Sequence, residues 1–212
     1  MVQSKVFSDH VDEYEKWYEE YADVYDSELV ALREHFTKLP ENLHGIEVGL
    51  GTGRFSRPLD IKEGIEPSEA MAQVAMSRGI EIMGGIAERL PYADLRFDFV
   101  LFVTICHLDS PKVAFEEAFR VLKHKGSVII GFLDRDQAIA TTYKERGQQS
   151  TFYTNARFYT VPRISTLLKE VGFKNPQWTQ TLFGELEDIT SVQQPQPGTG
   201  EGSFVVVRAV KP

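Results

Sequence analysis

The segment from Gly45 to Gly53, GIEVGLGTG, constrains this chain more than any other stretch of it. Its last three glycines, Gly49, Gly51 and Gly53, stand at alternate positions directly after a short β-capable run that carries one acid, Glu47. A strand ending this way turns sharply while its backbone passes very close to a ligand, an approach that only glycine permits. Glu66 ends the next short apolar run, in KEGIEP. That is where an open α/β sheet presents the carboxylate that binds a ribose diol. Together these residues point to a nucleoside-containing ligand; the glycines on their own would equally make a tight turn with no ligand.

The dinucleotide fingerprint G-x-G-x-x-G closes with a glycine that lets the following helix pack tightly with its N-terminus on a pyrophosphate. Here the corresponding position is Arg54 and the pattern is E-x-G-x-G-x-G, which suits a ligand without phosphates. At these residues the chain resembles a class I methyltransferase, a family that binds S-adenosylmethionine with a Gly-rich loop and a ribose-binding acid. GGIAERLPYADLRFDFV, from Gly84 to Val100, resembles the family's A-E-x-L-P stretch followed by F-D-x-V. RVLKHKGSVIIG, from Arg120, is similar to its R-x-L-K-P-G-G turn and fifth strand, and TVPRISTLLKEVGF, from Thr160, to its late helix. The likeness runs from about Val11 to the C-terminus and is nearest to the small-molecule branch that includes ubiquinone and menaquinone biosynthesis methyltransferases. Lys125 stands where the family often has Gly, and His124 where it often has Pro, so that turn is expected to be built differently.

A chain of 212 residues with 42% hydrophobic content fits one domain, since single cores reach about 250 residues before splitting. The resemblance implies a Rossmann-like α/β fold: a seven-stranded sheet, mostly parallel, with an antiparallel C-terminal strand pair and helices on both faces. Short apolar runs predict strands at 46–48, 64–66, 81–83, 99–103 and 128–132, each buried on both faces. Two more, at about 177–183 and 203–210, are joined by the Pro/Gly-rich loop QQPQPGTGEG; a connection without a helix makes them antiparallel, and the loop is expected to be mobile. Ser68, Ser110 followed by Pro111, and Thr160 read as helix caps, and Gly79 and Gly172 as stops. Ser27 reads as the cap of a helix over 28–36. Pro58 limits the first crossover helix to a stub of about one to two turns. Residues 1–40 are expected to form a helical lid, 41–135 the cofactor core, and 136–212 the acceptor-side helix and terminal strand pair.

The net charge of −8 opposes nucleic acid as a substrate, because affinity for it rests largely on clustered Lys and Arg. The single cysteine, Cys106, excludes an internal disulfide or a multi-thiolate metal site. No basic leader and no apolar run of about 18 residues is visible, so a cytoplasmic protein without a membrane span is expected.

The resemblance implies cofactor-binding roles for Glu47, Gly49, Gly51, Gly53, Glu66, Pro67, Ala87, Glu88 and Thr104. Glu66 would accept both ribose hydroxyls. Ala87 and Glu88 would lie against the adenine, where a backbone N–H suits the ring's acceptors; Glu88 reads equally as a solvated loop carboxylate. Glu47, costly to bury unpaired, should accept hydrogen bonds from the glycine loop, orient a water or meet the methionine ammonium. His107, in TICH after the fourth strand, reads as a general base or as a polar wall residue. Tyr14, Tyr18 and Tyr21 form an aromatic stripe at helical spacing, either packed core or, as the resemblance implies, part of a lid over the substrate, and Trp17, which falls off the main stripe, is the preferred lid residue. Phe152 and Tyr153 belong to a second aromatic cluster suited to an acceptor pocket.

The expected activity is metal-independent in-line methyl transfer from S-adenosylmethionine to a small-molecule acceptor. A non-catalytic S-adenosylmethionine-binding protein and, further off, a nicotinamide-dependent oxidoreductase are the alternatives.

Overall fold

The structure, a computed structural model, describes residues 2–147 and 150–212. Strands β1 (Gly45–Val48), β2 (Glu63–Ile65), β3 (Glu81–Met83), β4 (Phe97–Val103) and β5 (Leu122–Leu133) pair in parallel. Three further strands, β6 (Lys174–Thr181), β7 (Gln196–Pro197) and β8 (Phe204–Val210), are antiparallel to their neighbours. The sheet order is β3-β2-β1-β4-β5-β8-β6-β7. From β1 the chain runs outward to β2 and β3 and then crosses back to β4, so the order reverses between β1 and β4. Open α/β sheets collect ligands at the carboxyl ends of the strands flanking such a reversal.

Alternation along β4 divides the core in two. Val100 and Phe102 join Phe115, Ala118, Ile164 and Leu167 on one face. Phe99, Leu101 and Val103 join Leu29, Leu32, Ile139 and Ala140 on the other. The first group meets helices α5 (Pro111–Val121) and α7 (Val161–Val171), and the second meets α3 (Ala22–Phe36) and α6 (Ala138–Arg146). Helix α4 (Glu69–Ser77) covers β3, and α1 (Val2–Asp9) and α2 (Val11–Glu20) precede α3.

The expected caps form. Ser68 Oγ accepts Met71 N–H at 3.3 Å, Thr160 Oγ1 accepts Arg163 N–H at 3.3 Å, Pro111 opens α5, and Gly172 ends α7 at φ +113°. Lys125 takes the left-handed conformation at φ +65° in the turn where the resembling family often has Gly. A single such residue costs roughly 1–2 kcal/mol without glycine.

Four expectations are corrected. The sheet has eight strands, because part of the Pro/Gly-rich loop forms β7 on the β6 edge, where a proline's missing N–H breaks no ladder. The rest of that loop is pinned: Gly198 N–H donates to Trp178 O at 3.0 Å, and Gln180 Oε1 accepts the N–H groups of Glu201 and Gly202 at 2.8 and 2.9 Å. Ser27 lies inside α3 rather than at its start; its hydroxyl donates to Asp23 O and accepts Gln193 N–H at 2.8 Å, so it ties the helix to a distant loop. The first crossover is a run of turns over 51–60, not a helix, although Arg57 N–H reaches Gly53 O and Leu59 N–H reaches Phe55 O.

Candidate functional site

A cavity of about 1040 Å³ opens at the carboxyl ends of β1, β2 and β4, beneath α2 and α3. Gly49 and Gly51 turn the chain at its base, both at positive φ. A side chain on Gly49 would meet nothing within 4 Å, and one on Gly51 would stand 3.0 Å from the Tyr14 hydroxyl. The backbone at Gly49 is therefore open to the cavity, and α2 closes over Gly51. Gly53 departs from expectation: its missing Cβ would fall 2.3 Å from Ile80 Cδ1 and 3.4 Å from Ala75 Cβ, so this glycine admits α4 and the start of β3 instead of lining the cavity.

Glu66 follows β2 with its side chain at the cavity edge. Oε2 accepts Gly51 N–H at 2.8 Å and Oε1 accepts Ser68 N–H at 2.8 Å, which locks the carboxylate between the glycine turn and the α4 cap. Burial raises its pKa, and the two N–H donors act in the opposite direction. Glu47 is buried in β1, where burial pushes its carboxyl up to about 8 against the hydroxyl of Ser56, which donates to it. Its donor thus comes from the turns after the glycine loop and not from the loop itself. Ala87 and Glu88 lie on the cavity wall beside Pro67. Glu88 Oε1 accepts Ser110 N–H at 3.0 Å, at the start of α5.

Thr104 leaves β4 at φ +61°, a costly conformation for a β-branched residue. Its N–H is held by Gly131 O at 2.9 Å. The bend carries Ile105, Cys106 and His107 onto the cavity wall as a 3-10 turn. The His107 ring stacks on Tyr153 with centroids 5.9 Å apart and lies edge-on to Phe7 at 5.1 Å. Burial lowers its pKa to about 4, so the imidazole is neutral near pH 7. Its Nδ1 is buried without a hydrogen bond among the described residues.

Tyr14, Trp17 and Tyr18 all reach the cavity from α2, and Tyr18 is also part of the core. These side chains thus pack against the core and line the cavity at once. Phe152 and Tyr153 arrive from the segment after α6, with Phe152 stacked on Phe7 at 5.2 Å and Tyr153 on Tyr143 at 4.2 Å. Thus every expected site residue except Gly53 lines one cavity, while Tyr21 of the aromatic stripe packs against the core instead. Residues not anticipated include Phe7, Glu28 and Tyr143. Glu28 carried a legible signal, since Val24, Glu28, Ala31, Leu32 and His35 make one buried stripe of α3 and an acid on such a stripe is anomalous.

Helix α2 is fastened to the glycine turn by Glu15, whose carboxylate accepts from Thr52, Arg54 and Arg78. Arg78 also donates to Thr52 O at 2.6 Å. Burial alone would raise the Glu15 pKa, but the hydrogen bonds from Arg78, Arg54 and Thr52 outweigh it and bring it to about 2. Glu15→Gln should therefore weaken the hold on α2 by about 1.5–3 kcal/mol, the range for hydrogen bonds to charged groups. Hydrogen exchange of the amides of α2 should quicken while those of β4 and β5 stay protected. Uniform acceleration through the sheet would mean that Glu15 supports global folding instead.

Residues 46–130 match a family model described as a methyltransferase domain. An uncharacterized protein of Methanocaldococcus jannaschii is 42% identical over 207 residues, covering 97% of this chain and 98% of that one. A crystal structure from Thermotoga maritima, a SAM-dependent methyltransferase described as a possible histamine N-methyltransferase, is 41% identical with a TM-score of 0.93, covering 99% of this chain and all of that one. A phosphoethanolamine N-methyltransferase of Haemonchus contortus, in complex with S-adenosyl-L-methionine, shares the fold at 15% identity and a TM-score of 0.66, covering 87% of this chain and 52% of that one.

Proposed function

The chain belongs to the S-adenosylmethionine-dependent methyltransferases, and from that membership we propose that it methylates a small-molecule acceptor held in the aromatic part of the cavity. The observation that carries this reading is the continuity of one cavity from Glu66 and Gly49 to Phe152 and Tyr153, which puts cofactor and acceptor chemistry in one enclosure. The residues fit the cofactor: an open glycine turn, a carboxylate at the end of β2, and a wall that includes Pro67 and Ala87. Glu66 would hold the ribose diol, Gly49 and Gly51 would let the backbone approach, Pro67, Ala87 and Glu88 would border the adenine, and Glu47 and Thr104 would face the methionine end.

The bound cofactor supplies an electrophilic methyl group: the acceptor's lone pair forms the new bond to carbon as the carbon–sulfur bond breaks, its electrons passing to sulfur. Such a displacement asks chiefly for positioning and exclusion of water. In our reading Tyr14, Trp17 and Tyr18 exclude water from above, with α2 serving as the lid that Glu15 fastens. His107, neutral and with an unpartnered Nδ1, would offer the acceptor a hydrogen bond from the wall. The reaction needs no metal in this scheme, and among the described residues no group of three or more His, Cys, Asp or Glu side chains is arranged to hold one. The net charge of −8 supports a small acceptor over nucleic acid. Among the described residues no helix is long and apolar enough to cross a membrane, and we place the reaction in the cytoplasm.

Calorimetry with S-adenosylmethionine, S-adenosylhomocysteine and NAD should give binding of the first two alone, and a metabolite extract with S-adenosylmethionine should release S-adenosylhomocysteine. Retention of the methyl group with every low-molecular-weight fraction, but release with a protein or nucleic-acid fraction, would overturn the small-molecule reading.

A further inference from the structure

Resting on the methyltransferase reading, we propose that Glu28, on a wall shared with Tyr18, Tyr143 and Tyr153, binds an amino group of the acceptor as its ammonium and takes back that proton before the nitrogen lone pair attacks the methyl carbon, so that the acceptor class is a small organic amine. Glu28 is 8% exposed and lines the cavity. The other two buried acids of that wall have donors: Glu47 has Ser56, and Glu66 has Gly51 and Ser68. Among the described residues Glu28 makes no hydrogen bond and no ion pair. Tyr18 on α2, Tyr143 on α6 and Tyr153 in the segment beyond it line the same cavity.

An acid in such a place is expensive. A carboxylate taken out of water without a partner loses its solvation and gains nothing in return, and Leu or Met would fill the same position of the α3 stripe at no such cost. A cation arriving in the cavity reverses the balance. It pairs with the carboxylate at low local dielectric, and phenol oxygens on the same wall can accept hydrogen bonds from it. Tyr143 and Tyr153 stack on each other at 4.2 Å, and Tyr18 completes the wall from α2. A neutral acceptor of the same size would gain only a neutral hydrogen bond from the protonated acid, and an anionic one would keep the acid from ionising and gain no ion pair. Burial pushes Glu28 up to about 8, so near pH 7 the empty site holds a proton that a bound ammonium would displace.

The site is apart from the cofactor's carboxylate. Glu66 and Glu47 are held by Gly51, Ser68 and Ser56 around the glycine turn, whereas Glu28 stands on α3. Tyr14 and Tyr18 share a hydroxyl–hydroxyl hydrogen bond of 3.0 Å, so the two regions adjoin.

The test uses the full chain saturated with S-adenosylhomocysteine and three probes of similar size: phenethylamine, 2-phenylethanol and 3-phenylpropionate. Calorimetry at pH 7 should show the amine binding at least about tenfold more tightly than either other probe, a difference of about 1.4 kcal/mol. Binding should release a proton, seen as an enthalpy that depends on the buffer. Glu28→Gln should lose about tenfold or more for phenethylamine and abolish the proton release, while affinity for S-adenosylhomocysteine stays within about twofold. Without ligand at pH 8.5 the variant should melt no lower than the parent, because an unpaired charge has been removed. Equal affinity for the three probes, no measurable amine binding by the parent, or undiminished amine binding by Glu28→Gln would each overturn the proposal. Failure of S-adenosylhomocysteine itself to bind would instead sink the methyltransferase reading, and this proposal with it.

Discussion

Glu66→Ala is expected to weaken S-adenosylhomocysteine binding by about 2–4 kcal/mol, roughly 30- to 700-fold, through loss of two charge-assisted hydrogen bonds to the ribose less what water restores. The same carboxylate accepts Gly51 N–H and Ser68 N–H, so the alanine variant also strips acceptors from the glycine turn and the α4 cap. A lower Tm is therefore part of the expected result. Glu66→Gln separates the two effects, because its amide fills the same space and keeps one acceptor oxygen. It should melt closer to the parent than the alanine variant while still losing most of the affinity. Calorimetry alongside thermal melts would check this. A folded alanine variant with unchanged affinity would move the ribose site elsewhere.

The second large effect is on stability against pH. Glu47 and Glu28 are both raised by burial from an ordinary 4.5 to about 8. Between those values the folded chain holds protons that the unfolded chain has released, so stability falls as pH rises. The contribution is whole below about 4.5 and lost as pH passes through about 8. With about 1.4 kcal/mol for each unit between folded and unfolded pKa, the ligand-free protein should lose on the order of several kcal/mol from pH 5 to pH 8.5. Urea unfolding at both values measures it. The buried imidazoles of His35 and His107, lowered to about 4, act in the opposite direction below about 6.5, so the acids are read from their own variants: Glu47→Gln should flatten its share of the slope, and an unchanged slope in both Glu47→Gln and Glu28→Gln would show that neither acid is protonated in the fold. Glu15 acts in a separate window: held at about 2, it supports the fold above its ordinary 4.5 and loses that support only as pH falls through about 2.

Residues whose role depends on near neighbours in the chain were legible. Ser68, Ser110 and Thr160 cap helices because a hydroxyl reaches the N–H three residues on, and the glycine turn follows from the conformations that Gly49 and Gly51 alone adopt cheaply. Ser27 failed by the same rule. Its hydroxyl matched a cap, yet α3 begins at Ala22 and the serine instead holds Gln193 across the fold. The strand β7 was hidden because a two-residue edge pairing has no periodicity of its own, and α6 because Ile139, Ala140 and Tyr143 are too few to mark a stripe.

From its residues alone the chain determines an alternating α/β order, a strand that ends in a ligand-admitting glycine turn, and an acid at the end of the second strand. These are local facts of backbone freedom and spacing. Only the tertiary structure decided which glycine faces the cavity and which faces Ile80, which aromatics of α2 wall the cavity, and which buried acid has a donor. Burial and partnership are settled by segments far apart in the chain. Glu47 and Glu28 look alike as single acids within apolar runs, and it is the placing of Ser56 against one and of the other on a cavity wall with three tyrosines that separates them.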